Sequence, residues 1–410
     1  MIPETAASAA PTVSGERYGV MDVLRGFALF GVMTINLTEL GGVDIVITAA
    51  QAAALPSAAL DESVWFWVRL FVSDKANTLF ACLFGLGFWV QMERLEARGA
   101  PFREIYLRRA AILLVFGWLH LYFLFSWDIL HVYGIAAFVL LASRRLSEQT
   151  MLGLGLALLL FGKPLVTWIF AATGISGPLE AATYEKSAIL ARQAAAQAGD
   201  FPLFLGLMSE NIRLGWLLNG GLIAWIAYAT GRFYIGAWIA RQGWIQNSRE
   251  RRAIFRRWLW PLLLGGLALE TAHLLSEESA FGAFAKILHA VATPMIAAGY
   301  VCALVLLFHG SGAGRVVRLL APVGQMALTN YVMQSFAVLF ILTGVGPGLG
   351  FAGRAGVATF LPLVILFFAC QIAFSHVWMK AFAFGPLEWT WRTLTYGEAP
   401  RLRRARAIVA

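Results

Sequence analysis

Residues 117–134 read GWLHLYFLFSWDILHVYG, a stretch in which two apolar runs flank a short turn near Ser126 and Trp127. The apolar runs continue beyond both ends of the stretch, as expected for helices that enter a membrane. Two histidines and an aspartate, His120, Asp128 and His131, lie within it. The pattern predicts a helical hairpin whose turn reaches one membrane surface, with these polar side chains at shallow depth near the turn.

The composition of the chain is that of a polytopic membrane protein. Of 410 residues, 59% are hydrophobic and 13% are charged, against about 25% charged residues in soluble domains. The net charge of +9 comes from short basic runs between apolar segments, which is typical of orientation signals rather than of nucleic-acid binding. We therefore expect an all-α bundle of transmembrane helices in contact with membrane lipids, and no nucleic-acid partner.

Apolar segments of membrane-spanning length recur along the chain. The sequence predicts about ten transmembrane helices, near residues 22–40, 75–93, 106–124, 128–144, 150–171, 218–239, 258–275, 286–308, 322–343 and 357–379. They form a single transmembrane domain, residues 20–397, between a disordered cytoplasmic tail at 1–19 and a basic cytoplasmic tail at 398–410. Two shorter segments, 62–73 and 200–216, are expected to lie at the interface or to re-enter the membrane. Neither an internal repeat nor a broken helix is clear in the sequence.

Arginine-rich connections alternate with connections that carry few basic residues. Residues 93–109 hold five arginines and residues 241–257 hold six, whereas residues 41–61 and 275–285 hold none. Because basic residues concentrate in the cytoplasmic loops of membrane proteins, this alternation predicts that both termini lie in the cytoplasm.

Ionisable side chains gather at the helix ends that are predicted to face outward. Asp128 and His131 are three residues apart, as are Glu270 and His273, so each carboxylate shares a helix face with a histidine and can orient its imidazole. An oriented imidazole is a general base that can deprotonate a hydroxyl or amine nucleophile, as acyl transfer requires. His120 is expected at the same level and completes the predicted catalytic set.

Four further residues are predicted at the outer level, namely Asn36, Asp74, Lys75 and His289. Lys75 can stabilise an oxyanion. Each outer-level residue also has a simpler interpretation as an interfacial polar group near a helix end. Histidine and carboxylate ligands suit zinc, but these histidines come from separate helices without a compact motif such as HExxH, and no metal is expected.

A second set of polar residues is predicted nearer the cytoplasm. Asp22 and Arg25 are three residues apart at the mouth of the first span, where they can pair and where Arg25 can bind a phosphate-bearing donor. In the ninth span, Asn330 and Gln334 are four residues apart on one helix face. Interhelical hydrogen bonding explains these two amides, and the alternative is that they line a cavity that binds substrate.

Five stretches together resemble the YeiB-like family of bacterial inner-membrane proteins, a domain of unknown function. They are MDVLRGFALFGVMTINL (21–37), KANTLFACLFGLGF (75–88), DILHVYG (128–134), GQMALTNYVMQS (324–335) and FGPLEWTWRTLTYG (384–397). The resemblance extends from about residue 17 to about residue 400. It implies a multi-pass protein of the bacterial inner (plasma) membrane.

The first of these motifs is also similar to that of the transmembrane acyltransferase group, which includes heparan glucosaminide acetyltransferase and the acyltransferase-three proteins. This resemblance implies a bundle of about ten helices that transfers an acyl group from cytoplasmic acyl-CoA to an acceptor on the far side, such as a sugar or another cell-envelope component. Asp22 and Arg25 match the acid and the arginine of the motif. Asn36 stands where the acyltransferase-three pattern has its histidine. Either His120, His131 or another outer-level histidine has taken over the catalytic role, or this branch keeps the scaffold without the chemistry.

Three functional hypotheses remain open from the sequence. The first is a membrane acyltransferase with acyl-CoA as its donor substrate. The second is a transporter, or a lipid-binding or small-molecule-binding membrane protein, that uses the same polar cavity without covalent chemistry. The third is an assembly partner of another envelope protein, which only the missing histidine after Arg25 favours. The acyl group, the acceptor and the oligomeric state, including a homo-oligomer, are left open.

Overall fold

The structure is a computed structural model, and it describes residues 19–38, 47–174, 185–277, 282–343, 345 and 348–404. The helices in chain order are α1 (Gly19–Thr38), α2 (Ala49–Ala54), α3 (Ala58–Phe71), α4 (Lys75–Ala97), α5 (Phe102–Phe123), α6 (Leu130–Ala142), α7 (Glu148–Ala157), α8 (Lys163–Ala172), α9 (Lys186–Ala198), α10 (Phe201–Ile212), α11 (Gly221–Arg241), α12 (Arg252–Ser276), α13 (Gly282–Phe308), α14 (Gly314–Val317), α15 (Ala321–Gln325), α16 (Ala327–Phe336), α17 (Val357–Ala381) and α18 (Pro386–Tyr396). Three π-helical stretches, Leu158–Gly162, Arg213–Leu218 and Ala337–Thr343, continue α7, α10 and α16. Over these ranges the chain is helical, without strands.

Six helical segments are long and apolar enough to cross a membrane. They are Gly19–Leu37, Phe102–Phe123, Glu148–Ala172, Arg252–Ser276, Ala285–Phe308 and Val357–Ala381. The number of candidate spans rises to eight if each of two bent helix pairs counts as one span. The fold is therefore that of an all-α membrane protein, and the predicted fold class is confirmed at this level.

Two of the ten predicted spans, 75–93 and 128–144, are helical but are not candidate spans by length and composition. Helix α4 carries Lys75, Glu93 and Arg94 within its length, which lowers its hydropathy. Helix α6 has 13 residues, or about 20 Å, which is shorter than the roughly 30 Å of a hydrocarbon core. Among the described residues the structure thus gives six to eight candidate spans.

Two membrane-length helices are sharply bent, although the sequence shows no clear break. Residues Phe201–Leu218 meet Gly221–Arg241 at 66°, and Gly314–Gln325 meet Ala327–Leu342 at 79°. At the first bend Gly220 adopts a left-handed conformation with φ 79°, which glycine reaches without steric cost. The segment 200–216, predicted to be interfacial or re-entrant, is accordingly one arm of a bent pair.

Glycines allow α4 and α11 to cross at close range. A Cβ atom on Gly85 would lie 2.1 Å from the carbonyl oxygen of Phe233, and one on Gly236 would lie 1.9 Å from the carbonyl oxygen of Cys82. Both distances are shorter than van der Waals contact, so neither position accommodates a larger residue without separating the helices. Gly85, in the stretch FGLGF (84–88), is therefore a helix-packing position.

The predicted tails are described only in part. Residues 1–18, nearly all of the first predicted tail, and residues 405–410, in the second, lie outside the described residues. Residues 398–404 are described, and they run back along the end of α17. The backbone N–H of Ala383 donates to the carbonyl oxygen of Leu402 at 2.8 Å. This part of the basic tail is therefore attached to the bundle.

Candidate active site

The hairpin of α5 and α6 brings two histidines onto one carboxylate. His120 Nδ1 lies 2.9 Å from Asp128 Oδ1, and His131 Nδ1 lies 3.1 Å from Asp128 Oδ2. The backbone N–H of His131 donates to Oδ2 at 3.0 Å, and the Tyr331 hydroxyl donates to Oδ1 at 3.2 Å. We call His120, Asp128 and His131 the Asp128 trio. The predicted pairing of Asp128 with His131 is confirmed.

The trio is buried within the protein. His120 is 3% exposed, whereas Asp128 and His131 are fully buried. The Nε2 atoms of both histidines are buried without a hydrogen-bond partner among the described residues. An unsatisfied buried polar atom costs about 1–3 kcal/mol, so these two nitrogens are unusual unless water or a substrate reaches them. The trio lies near the hairpin turn, as predicted, but protein atoms cover it.

The hairpin turn is buried because other helices cover it. Trp216, in the π-helical stretch after α10, donates from Nε1 to the carbonyl oxygen of Ser126 at 2.6 Å. The Trp216 ring lies 4.7 Å from the His131 ring, centroid to centroid. Stretches of π-helix occur often at functional sites, and this one positions an aromatic ring against a trio histidine.

Close packing of α5 against α6 brings the three residues of the trio together. A Cβ atom on Gly117 would lie 2.1 Å from the backbone nitrogen of His131. Glycine at this position lets α5 approach α6 closely enough for His120 and His131 to share Asp128.

A cavity of about 260 Å³ opens at the end of the bundle that is predicted to be cytoplasmic. Its charged lining consists of Arg25, Arg94, Arg98, Arg109, Arg392, Asp22 and Glu388. Five arginines thus face two carboxylates among the described lining residues. The surplus of positive charge favours an anionic ligand, for which the planar guanidinium is the preferred partner in proteins.

Arg25 and Arg109 approach the cavity from α1 and α5. The Arg25 guanidinium pairs with Asp22 at 3.2 Å, as predicted from their spacing. The Arg109 guanidinium stacks on the Trp391 ring at 3.8 Å from its centroid. No carboxylate lies within ion-pair distance of Arg109 in the described part of the chain. Arg109 is therefore the cavity arginine that is best placed to bind an anion from outside.

The floor of the cavity joins two of the quoted motifs. Glu388, from FGPLEWTWRTLTYG, accepts backbone N–H bonds from Leu328 and Thr329 at 2.7 and 3.1 Å. The Thr329 hydroxyl donates to the same carboxylate at 2.6 Å. Glu388 thereby satisfies N–H groups in the first turn of α16, which no intrahelical carbonyl can reach. Burial raises the pKa of Glu388, although these hydrogen bonds oppose the shift.

Tyr331 connects the cavity with the trio. Its side chain lines the cavity, its hydroxyl donates to Asp128, and its ring lies 4.9 Å from the His120 ring. Along α5, Arg109 and His120 are eleven residues apart, which is about 16 Å at 1.5 Å per residue. A ligand that is anchored at Arg109 therefore needs a long, narrow arm to place a reactive group beside His120.

A separate polar cluster joins the start of α4 to the hairpin of α12 and α13. Lys75 is fully buried, and its Nζ donates to Glu270 Oε1 and to the carbonyl oxygen of Arg69. His289 Nδ1 lies 3.0 Å from Glu270 Oε2, and its Nε2 lies 3.2 Å from Asp74 Oδ2. We call Asp74, Lys75, Glu270 and His289 the Lys75 cluster. No described hydrogen bond links it to the trio, so the predicted outer residues form two groups.

Two predicted roles in this cluster are corrected by the structure. Glu270 does not orient His273, because its oxygens bond to Lys75 and His289, and His273 Nδ1 has no partner among the described residues. The His273 ring instead packs 4.9 Å from the His289 ring. Lys75 is not placed as an oxyanion donor, since its ammonium group is already bonded within the cluster. No set of three metal-binding side chains is found in the described ranges.

Asp74 has the only left-handed backbone found at a described residue other than glycine, with φ 61°. Such a conformation costs about 1–3 kcal/mol and is often found at functional sites. At Asp74 it places the carboxylate beside His289 at the start of α4.

The predicted amide pair in the ninth span contributes to packing. Asn330 Nδ2 donates to Ser375 Oγ at 3.0 Å, and Gln334 Nε2 donates to Gln371 Oε1 at 2.8 Å. Both bonds join α16 to α17, as the interpretation of interhelical hydrogen bonding predicts. Asn330 does not line the arginine-lined cavity. Gln334 and Asn36 also line a cavity of about 10 Å³, which is close to the volume that one water requires.

Sequence reasoning missed Tyr331 and Arg232. Tyr331 resembles any aromatic residue of a membrane span, and nothing near it in sequence points to Asp128. Arg232 left a clear signal, because an arginine in the middle of an apolar segment is costly. It is buried, donates from Nε to Thr78 Oγ1 at 2.9 Å and stacks on the Tyr228 ring.

The chain is similar to a set of bacterial proteins over almost its whole length. The uncharacterized protein YxaH of Bacillus subtilis (strain 168) is 30% identical over 406 residues, which cover 95% of this chain and 97% of the relative. The uncharacterized protein YeiB of Escherichia coli (strain K12) is 27% identical over 394 residues, which cover 93% and 96%. The chain belongs to the YeiB-like family. The resemblance of its five motifs to this family is confirmed.

Two further comparisons concern this YeiB-like chain. An uncharacterized 39.9 kDa protein in the amylase 3′ region of Bacillus acidopullulyticus is 28% identical, over 94% of this chain and 96% of its own length. The family model described as "Protein of unknown function (DUF418)" matches residues 239–398. No solved structure matches the chain. Since these descriptions state no activity, the function is inferred from the site.

Proposed function

We propose that this protein is an acyltransferase of the bacterial inner membrane. Acyl-CoA enters the arginine-lined cavity from the cytoplasm, and the acyl group passes to a hydroxyl or amine acceptor from the extracytoplasmic side. The acceptor class that fits is a sugar or another cell-envelope component. Asp22 and Arg25 belong to the donor site in this proposal, and the Asp128 trio belongs to the catalytic site.

The observation that carries the proposal is the position of Tyr331 between the cavity and the trio. The arginines supply an anion site at one end, and two imidazoles on one carboxylate supply acid–base chemistry at the other. Acyl-CoA carries its phosphates and its thioester at opposite ends of a flexible arm, so it matches a site whose anion-binding and catalytic groups are about 16 Å apart along one helix. Positioned acid–base groups contribute typically 10²–10⁴-fold to a reaction rate.

The proposed topology has ten spans with both termini in the cytoplasm. The distribution of arginines between connections supports it. Helix α4 has 23 residues, or about 34 Å, and is long enough to cross the membrane as a buried, more polar span. Reporter fusions placed after residue 99 and after residue 126 test the proposal, which predicts a cytoplasmic signal at the first site and an extracytoplasmic signal at the second.

The activity is tested by release of CoA thiol in proteoliposomes that contain acetyl-CoA and an extract of bacterial envelope glycans and lipids. Wild-type protein is expected to release thiol and to transfer label from the acetyl group. A variant with both His120→Asn and His131→Asn is expected to lose at least about 10²-fold in rate. His376→Ala is the matched control, since His376 is partly exposed and its ring bonds to the backbone carbonyl of Leu319, away from the trio. Equal rates for wild type and the double variant would contradict the assignment of the site.

A transporter is the second candidate function, and two observations favour it. The two bent helix pairs match the broken helices that many transporters use at their binding sites. The buried Lys75–Glu270 pair, bonded to the half-buried His289, is of the kind that marks ion or proton pathways in membranes. Flux of a labelled anion into vesicles without CoA, lost in Glu270→Gln but not in the trio variant, would establish transport over acyl transfer.

A further inference from the structure

Asp128 accepts more hydrogen bonds than a catalytic dyad of one histidine and one aspartate requires. Both of its oxygens are bonded twice, to His120 and Tyr331 through Oδ1 and to His131 twice through Oδ2. An ionised carboxylate only accepts hydrogen bonds, so each Nδ1 carries a hydrogen directed at Asp128. In both histidines the nitrogen left to react is therefore Nε2, which is also the atom without a partner.

The two imidazoles face different sides of the site. The His120 ring packs on Tyr331, which lines the arginine cavity. The His131 ring packs on Trp118 and Trp216, with centroids 5.3 and 4.7 Å away, and neither tryptophan lines the cavity. One histidine is thus adjacent to the donor cavity, whereas the other adjoins the aromatic wall of the hairpin.

We infer that His120 and His131 have divided roles, with His131 as general base for the acceptor and His120 as general acid for the leaving thiolate. The inference rests on the proposed acyl transfer and adds the role of each histidine. Asp128 is the positioning residue that holds both rings.

The step balances in protons and electrons. His131 Nε2 takes the proton of the acceptor O–H, and the oxygen electron pair forms the new C–O bond at the thioester carbonyl. The C–S bond breaks with its electron pair on sulfur, and the thiolate takes the Nε2 proton of protonated His120. The trio holds one extra proton before and after the step, on His120 at first and on His131 at the end. Exchange with water after product release restores the starting state.

The division of roles predicts opposite responses to changes of donor and acceptor. A thioester whose thiol is more acidic leaves without protonation, so the loss caused by His120→Asn should shrink from about 10²-fold with acetyl-CoA to within about threefold with S-acetyl-4-nitrothiophenol. Hydroxylamine attacks thioesters without a general base. The loss of rate caused by His131→Asn should therefore shrink to within about threefold when hydroxylamine is the acceptor. Each variant is compared with wild type on the same substrate, which cancels differences in binding. His376→Ala serves as the control.

Asparagine is used because its Nδ2 can replace Nδ1 as the donor to Asp128, which keeps the hairpin packed. Folding is checked by the thermal midpoint of each purified variant, and Asp128→Asn is expected to lower the rate with every donor and acceptor. Two results with an active wild type would overturn the inference. In the first, the same change of donor or acceptor restores the rates of both histidine variants. In the second, neither change restores the rate of either variant. A wild-type protein without transfer to any acceptor, hydroxylamine included, would instead overturn the proposed function itself.

Discussion

The buried ion pair between Lys75 and Glu270 offers a direct test of what holds α4 against the hairpin of α12 and α13. Both side chains are almost fully buried, and breaking such a pair by removing one partner costs about 3–5 kcal/mol. His289 remains as a second partner of Glu270, so Lys75→Met should lie near the lower limit, at about 3 kcal/mol. Lys75→Met combined with Glu270→Gln removes both charges and should recover about half of that loss.

The assay is reversible unfolding in mixed micelles, followed by tryptophan fluorescence. Arg69→Met is the matched control, because Arg69 pairs with Glu277 at a partly exposed position, where an ion pair contributes less than about 1 kcal/mol. Strict additivity of the two substitutions, or a loss of less than about 1 kcal/mol for Lys75→Met, would refute the reasoning that the pair is coupled and buried.

Three further predictions concern the site. Gly117→Ala should lower the free energy of unfolding by about 1–3 kcal/mol through overpacking, and it should abolish acyl transfer by moving His131. Gly153 has open space around it, so Gly153→Ala should have neither effect. Thermal midpoints and transfer rates of the two variants test this prediction. Arg109→Ala should raise the KM for acyl-CoA about tenfold or more, with a smaller change in kcat, since a charged hydrogen bond to phosphate is lost; an unchanged KM would remove Arg109 from the donor site. Burial raises the pKa of Glu388, so the free energy of unfolding should fall as pH rises from the unfolded-state pKa of about 4.3 toward that raised pKa. Glu388→Gln should flatten this pH dependence of the free energy of unfolding. An equal slope in the wild-type and variant proteins would contradict the prediction.

The sequence predicts contacts within one helix turn more readily than contacts between helices. Asp128 and His131 are three residues apart, and their pairing follows from helix geometry. The same rule pairs Glu270 with His273, but in the structure Glu270 bonds to Lys75 and His289 from other elements. Spacing in the sequence shows that two side chains share a helix face. It does not show whether a side chain from another helix bonds to one of them instead.

The position of the donor cavity depends on tertiary packing that spacing does not encode. Tyr331 reaches Asp128 across 203 residues of sequence, and Trp216 reaches Ser126 from the π-helical stretch that continues α10. Composition and the arginine distribution nevertheless predict a helical membrane bundle. The count of spans differs, because 75–93 and 128–144 are predicted as spans, whereas in the structure α4 extends over charged residues and α6 has 13 residues.

In the proposed mechanism, a donor bound at the arginine cavity is joined to chemistry at the Asp128 trio. It is tested most directly by label transfer in proteoliposomes of known orientation, with labelled acetyl-CoA supplied at one face only. The account predicts transfer when the donor meets the face that carries Arg109, loss of transfer when it meets the opposite face, and loss in the variant with both trio histidines replaced by asparagine. Transfer from either face, or transfer that persists in the double variant, would contradict it.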